Sequence, residues 1–372
     1  MVVGRHRNTK AIINLGAIAE NVNLERKQLA QGQEIFAVVK ANAYGHGLLP
    51  VAKTARKAGA TGFCVAVIDE GIALRQAGFV NETILVLGVS PSSEAVYLAK
   101  NNLSTAVSTI DFLQAAQPQL SQAGLKLRVH ISLDTGMGRI GFKESQTLRK
   151  AVDYMHEYPE QFEFEGIFTH FAQADSADSS YYQQQLAKFK KLTEGLTLPR
   201  YVHVANSAAA LWHKACGGNV IRYGITMYGL NPSGNELEVP LPIKPALSLY
   251  SELVHVKKIA AGESVGYGST YTAKKSEWIG TVPIGYADGW LRRMQGFKLL
   301  VAGKYCETVG RVCMDQLMVR LPSQLPIGTK VTLIGKDGEN EITAQDVANY
   351  AQTIHYEITC CLSERILRKY QD

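Results

Sequence analysis

Lys40 closes an apolar run, Ile35-Phe36-Ala37-Val38-Val39, and is followed at once by Ala41-Asn42-Ala43-Tyr44-Gly45-His46-Gly47. An amine held where its charged form is disfavoured can form a Schiff base with an aldehyde, so this lysine is a candidate for cofactor attachment. Four further apolar runs end in chemically capable residues. One leads into Asp134-Thr135-Gly136-Met137-Gly138-Arg139, where the glycines let the backbone approach a ligand and Arg139 offers a fixed, two-pronged cation. Another ends in Thr169-His170-Phe171. A third runs into Val204-Ala205-Asn206-Ser207-Ala208, where a helix is expected to begin with the serine at its cap, and the last carries Arg222 before Tyr223-Gly224-Ile225. Free backbone N–H groups and the positive end of a helix dipole in such loops suit a phosphate.

Taken singly, Lys40 reads as a lysine capping a strand in solvent and His170 as a satisfied core histidine. Together, the five run ends fit pyridoxal phosphate: the aldehyde needs Lys40, the phosphate needs the cradle at 206–207 and 224–225, and the ring nitrogen needs a partner. Arg222 is a donor that keeps its proton, so a ring nitrogen facing it stays unprotonated and the ring is a weaker electron sink. Such a cofactor favours brief exchange of an α-proton over the longer-lived carbanions of transamination.

The elements that must position these residues follow from periodicity. From Glu34 to about Asn231, short β-branched runs alternate with helical segments. Strands are expected at 35–40, 62–67, 83–87, 104–107, 126–133, 162–169, 201–205 and 220–223, with helices including 17–30 and 180–194. Eight strands in this rhythm predict a (β/α)8 TIM-type barrel, with a doubly wound open sheet as the alternative. After Asn231, Pro240, Pro242 and Pro245 mark a linker. Runs at 247–259, 278–283, 298–301, 304–309, 316–319 and 330–334, with a helix at 343–351, then predict a mostly β domain. The expected domains are 12–240 for the barrel, and 241–372 with an N-terminal strand in 1–11 for the β domain.

Composition excludes several functions. A net charge of +6 over 372 residues, with both signs interspersed, leaves no basic stripe for nucleic acid. Six cysteines without CxxC pairs or companion histidines argue for reduced thiols and no metal site. The N-terminal segment lacks the apolar core of a signal peptide and no run is long enough to span a membrane, so a cytoplasmic location is expected.

Eight stretches carry a family resemblance: AVVKANAYGHG (37–47), DTGMGRIGF (134–142), IFTHFAQAD (167–175), HVANSAAAL (203–211), RYGITMYGLNP (222–232), SVGYGSTYTA (264–273), WIGTVPIGYADGW (278–290) and GRVCMDQLMV (310–319). In these, and in their order, the chain resembles the bacterial alanine racemases over nearly its whole length. The resemblance implies a homodimer with shared active sites that interconverts L- and D-alanine on pyridoxal phosphate, supplying D-alanine for peptidoglycan. It implies Lys40 as one base and Tyr267, from the partner's β domain, as the other; alone, Tyr267 between two glycines would read as a turn residue. Removing a proton from one face of the α-carbon and returning one to the other requires two groups on opposite sides, and a phenol serving as a base needs help from His170 and Arg222.

The resemblance further implies Tyr44, Ser207, Gly224, Ile225 and Tyr356 around the phosphate, and Asn206, beside Ser207 at the expected helix start, is a further candidate cofactor contact. It places Arg139 beside the ring oxygen and substrate carboxylate, and the loop of Cys313, Met314 and Asp315 on that carboxylate. Tyr286 and Arg292 are implied at the entrance. One departure stands out: Ser132 occupies a position where most of the family carries a carbamylated lysine that orients Arg139. A chloride ion or ordered water near Arg139 and Ser132 is expected instead, on the reasoning that a partly buried, unpaired arginine is costly. Two alternatives remain at this level, a related decarboxylase, which would pair the ring nitrogen with a glutamate, and a noncatalytic cofactor-binding barrel.

Overall fold

The computed structural model describes residues 2–213 and 217–372. Cys216 lies outside the described residues. The chain divides into two compact units: Ala17–Ala43 with Leu48–Lys244, and Met1–Gly16 with Tyr44–Gly47 and Pro245–Asp372.

The first unit is a nearly closed barrel of eight parallel strands: Glu34–Val38, Gly62–Val65, Thr83–Val86, Ser104–Val107, Leu127–Leu133, Phe162–Thr169, Tyr201–His203 and Val220–Tyr223. The last pairs with the first, from Glu34 against Val220 to Ala37 against Tyr223. Between the seventh and eighth strands, a regular ladder gives way to separate bonds, from Asn219 N–H to the Val202 carbonyl (2.9 Å) and from Arg222 N–H to that of Ala205 (3.0 Å). Four of these strands are buried along their whole length and the other four at most of their residues, as parallel strands flanked by helices must be, which is why they read as apolar runs. The helices bury one stripe each: Ser145–Glu157 turns in Leu148, Ala151, Val152 and Met155, and Ser180–Thr193 turns in Tyr182, Gln185, Leu186, Phe189 and Leu192.

The second unit is mostly β. Its larger sheet runs Lys304–Glu307, Lys298–Val301, Lys330–Asp337, Leu247–Glu252, Lys10–Asn14 and Leu367–Gln371, with Asn340–Ile342 also paired to Lys330–Asp337. A three-stranded sheet joins His255–Ile259, Glu277–Val282 and Leu317–Leu321. Ser264–Val265 pairs with Tyr271–Thr272 as a small ribbon. Ile259, Val265, Ala273, Ile279 and Val309 form a core beneath it.

The expected boundaries shift for identifiable reasons. Residues 12–16 go with the β unit because Lys10–Asn14 pairs antiparallel with Leu247–Glu252 and parallel with Leu367–Gln371. The expected strand 247–259 is two strands. Leu253 N–H bonds to the Thr329 carbonyl and Val254 N–H to that of Thr281, so the chain changes sheets between them. The helix expected at 17–30 is Leu15–Arg26. Leu367–Gln371 and the short helix His355–Cys360 were not foreseen, the former being a charged, largely exposed edge strand.

Asp288 anchors the β unit's N-terminus. Its fully buried carboxylate accepts bonds from both terminal nitrogens of Arg7 and from Gly285 N–H (3.0 Å), with Arg365 Nε at 3.4 Å. Removing one side of a buried ion pair leaves the other uncompensated, so Asp288→Ala should destabilise the β unit by about 3–5 kcal/mol, read as a lowered urea midpoint.

Candidate active site

The first barrel strand stops at Val38, two residues before the expected end, and Lys40 opens an unusual turn. Ala41, Asn42, Ala43 and Tyr44 have φ of 53°, 52°, 53° and 52°. Left-handed backbone costs L-residues roughly 1–2 kcal/mol each, so such a turn persists only where its surroundings fix it. Glu70 does part of this: one carboxylate oxygen accepts from Ala41 N–H (2.6 Å) and the other from Ala66 N–H (2.8 Å). Asn42 Oδ1 accepts from Leu48 N–H at 2.8 Å. Glu70 was not singled out from sequence, where it looks like an ordinary acidic residue in the first turn of Ile68–Gln76.

Arg222 lies buried at the eighth strand. Its Nη2 donates to the Thr169 carbonyl (2.8 Å) and to His170 Nδ1 (3.2 Å), while Nη1 donates to the His203 carbonyl and to His203 Nδ1 (3.0 Å). Burial holds His170 well below the ordinary histidine range, and the positive charges of Arg222, Arg139 and Lys40 push it the same way. His203 is lowered likewise, by burial, then by His130 and Arg222. His203 was missed in the sequence; the available signal was a polar residue inside an apolar barrel strand.

The loops after the seventh and eighth strands are tied together. Gly224 N–H donates to Ser207 Oγ at 2.9 Å, and Asn206 Oδ1 accepts from Ala209 N–H at 2.9 Å. Ser207–Trp212 is only six residues long, so these loops offer fixed backbone and not a long helix dipole. Gly224 and Ile225 are buried beside it.

Asp134 organises the loop before Arg139. Burial would push its carboxyl up, but the N–H groups of Gly138 and Gly136 and the ammonium of Lys143 hold it below the usual range. Ser132 is buried, whereas Arg139 is exposed in the single chain, so the partial burial assumed for it from sequence is absent there.

In the β unit, Tyr267 stands 68% exposed on a tight turn between Gly266 (φ 77°) and Gly268 (φ 71°), held by the ribbon on either side. Tyr286 and the 313–315 loop adjoin one another, Tyr286 N–H bonding to the Cys313 carbonyl (3.1 Å) and Ala287 N–H to that of Met314 (3.0 Å). A Cβ on Gly285 would lie 2.3 Å from both carbonyls, so only glycine permits this approach. Asp315 is engaged by Arg365 at 2.8 Å, and Arg292 is exposed. Tyr44 and Tyr356 face each other with ring centroids 6.1 Å apart.

An eight-stranded barrel with a lysine after its first strand, a buried arginine on its eighth and a mostly β companion unit defines the barrel-type class of pyridoxal-phosphate enzymes. Models of the alanine racemase N-terminal and C-terminal domains match residues 13–232 and 246–370. Alanine racemase of Ligilactobacillus salivarius is 60% identical over 372 residues, the whole of both chains. The crystal structure of alanine racemase from E. faecalis is 55% identical with a TM-score of 0.97, covering all of both chains. A histidine racemase from Leuconostoc mesenteroides is 34% identical with a TM-score of 0.93, again over all of both chains. The chain belongs to the alanine racemase family of pyridoxal-phosphate-dependent isomerases. No helix among the described residues is long and apolar enough to cross a membrane.

The buried histidines make stability depend on pH in a definite sense. His170 and His203 are lowered well below 6.5, and burial lowers His355 to about 4. Below pH 6.5 the unfolded chain therefore binds more protons than the folded one, so stability is full above that pH and declines as the pH falls. The urea midpoint should drop steadily from pH 7 to pH 4, and His355→Gln should flatten that slope.

Proposed function

We propose that this chain interconverts L- and D-alanine with pyridoxal phosphate held in its barrel, using Lys40 of one subunit and Tyr267 of a second copy as the two bases. The observation that carries this reading is the buried Arg222 guanidinium bonded to His170, on a barrel whose first strand delivers Lys40. The bound cofactor supplies an aldehyde carbon for amine exchange and a ring that takes up charge when an α-proton leaves.

The chain's own residues fit that chemistry. Arg222 only donates, so His170 accepts at Nδ1; as a neutral ring it carries its proton on Nε2 and can donate to a phenolate. That bond would help Tyr267 act as a base on one face while the Lys40 amine acts on the other. Arg222 meets the ring nitrogen. Asn206, Ser207, Gly224 and Ile225, with Tyr44 and Tyr356, surround the phosphate. Arg139 and the Met314 N–H orient the substrate carboxylate, with Cys313 and Asp315 in the same loop. Tyr286 and Arg292 line the entrance, where Tyr286 narrows the channel in favour of a small side chain. The exposure of Tyr267, Met314 and Tyr286 in the single chain supports a dimer in which a second subunit covers them. A chloride ion near Ser132 would orient Arg139 in place of a carbamate. The product would supply D-alanine for peptidoglycan in the cytoplasm.

The direct test follows α-deuteration and D-alanine formation from L-alanine in deuterated water, with serine and histidine as competitors. Deuteration without D-alanine, or carbon dioxide release, would overturn the reading. Lys40→Ala and Tyr267→Phe should each lower racemisation by about 10²–10⁴-fold. Mixing the two inactive variants should restore about a quarter of the wild-type rate, since each mixed dimer regains one intact site. No recovery after subunit exchange would mean that the sites are not shared. Replacing chloride by gluconate should weaken alanine binding, and an unchanged KM would remove the chloride from this scheme.

A further inference from the structure

Arg222 is one end of a buried series of polar side chains extending along the barrel interior. Its Nη1 meets His203 Nδ1 at 3.0 Å; His203 Nε2 meets His130 Nδ1 at 2.8 Å; His130 Nε2 meets Glu165 Oε2 at 2.9 Å. Both imidazoles are fully buried and Glu165 is nearly so. Glu165 also accepts from Ser104 Oγ and has Arg128 Nη1 3.7 Å from its other oxygen.

The two ends of this series fix its direction. A guanidinium can only donate and an ionised carboxylate can only accept. His203 must therefore present a bare Nδ1 to Arg222 and carry its proton on Nε2. That proton points at a bare Nδ1 of His130, whose own proton on Nε2 points at Glu165. A second proton on either ring would set N–H against N–H. Although burial pushes the Glu165 carboxyl up, the hydrogen bonds from His130 and Ser104 and the charge of Arg128 hold it below the usual range.

The surroundings are shaped for this arrangement. Phe168 stacks on His203 with centroids 4.8 Å apart and planes 10° apart, and Tyr201 stacks on His130 at 5.8 Å and 24°. A Cβ on Gly166 would fall 2.3 Å from His130 Nδ1, so the residue after Glu165 must be glycine for the ring to fit.

We propose that Glu165 is a positioning residue: through one-way hydrogen bonds across neutral His130 and His203 it holds the Arg222 guanidinium in the orientation from which it meets the cofactor ring. This rests on the reading of Arg222 given above. The carboxylate balances the arginine's charge from two imidazoles away, which keeps a positive group, not an ion pair, at the ring nitrogen. A carboxylate in direct contact with Arg222 would blunt that field. Glu165→Gln retains the shape and, in its amide oxygen, an acceptor for His130 Nε2–H, but it removes the negative charge and turns an amide N–H₂ toward Arg128.

The test is two-bond ¹H–¹⁵N spectroscopy of the full-length holoenzyme labelled at histidine, with steady-state kinetics alongside. The wild type should show His130 and His203 as neutral rings protonated on Nε2. Glu165→Gln should leave both rings protonated on Nε2 yet shift the absorption maximum of the bound cofactor and lower kcat about 10-fold or more with little change in KM, as losing the group behind a ligand histidine does in metal sites. A doubly protonated or Nδ1-protonated ring at either position in the wild type would overturn the proposal, and this needs no variant to fold. Wild-type kcat and absorption in Glu165→Gln would overturn it equally. Failure of the wild type to exchange the α-proton of alanine would instead defeat the functional reading, on which the tautomers do not depend.

Discussion

A guanidinium does not give up its proton, so placing Arg222 inside the barrel obliges the fold to surround a permanent charge with acceptors. The carbonyls of Thr169 and His203 and one nitrogen each of His170 and His203 meet that obligation. Much else follows from it. His170 and His203 must stay neutral to accept, which the burial and positive charges around them ensure. Cys64, on the second strand, feels the same interior: burial pushes its thiol up to about 12 despite the positive charges of Arg222 and Lys40, so it is an inert filler.

The turn after Lys40 is the second constraint. Four consecutive non-glycine residues in left-handed backbone make a segment that would relax if released, and Glu70 and Asn42 clamp it through backbone N–H groups. The lysine thus leaves the strand from a rigid base. Strain of this sort is tolerable because the strands beneath it are packed on both faces and cannot shift to relieve it.

The barrel was legible because parallel strands buried on both faces leave continuous apolar runs; three of the eight, at 104–107, 162–169 and 220–223, were placed to the residue. The ends of other strands were not, since Lys40 and the residues after Val65 and His203 turn away under bonds that only the folded chain reveals. In the β unit the signal weakens: Leu247–Glu252 and His255–Ile259 read as one run because nothing at Leu253-Val254 announces a change of sheet. Of the site, Lys40, His170, Ser207 and Arg222 were found as polar closures of apolar runs, and the structure joins His170 to Arg222 and Ser207 to Gly224. Tyr267 carried no such signal, being an exposed turn residue, and entered through resemblance alone. Glu165 and His130 lie within strands, where a buried polar residue resembles the solvent-facing position of an alternating one.

The β unit's large sheet sets Lys10–Asn14 parallel to Leu367–Gln371, joining the first strand of the chain to the last. During synthesis Lys10–Asn14 leaves the ribosome well before Leu367–Gln371 and gains this neighbour only after the long segment between them has emerged. The segment that builds the barrel emerges in between and can close without waiting for it. A nascent chain stalled or clipped near position 366 would therefore carry a formed barrel and, in Lys10–Asn14, an open strand edge, a ready site for pairing with other chains.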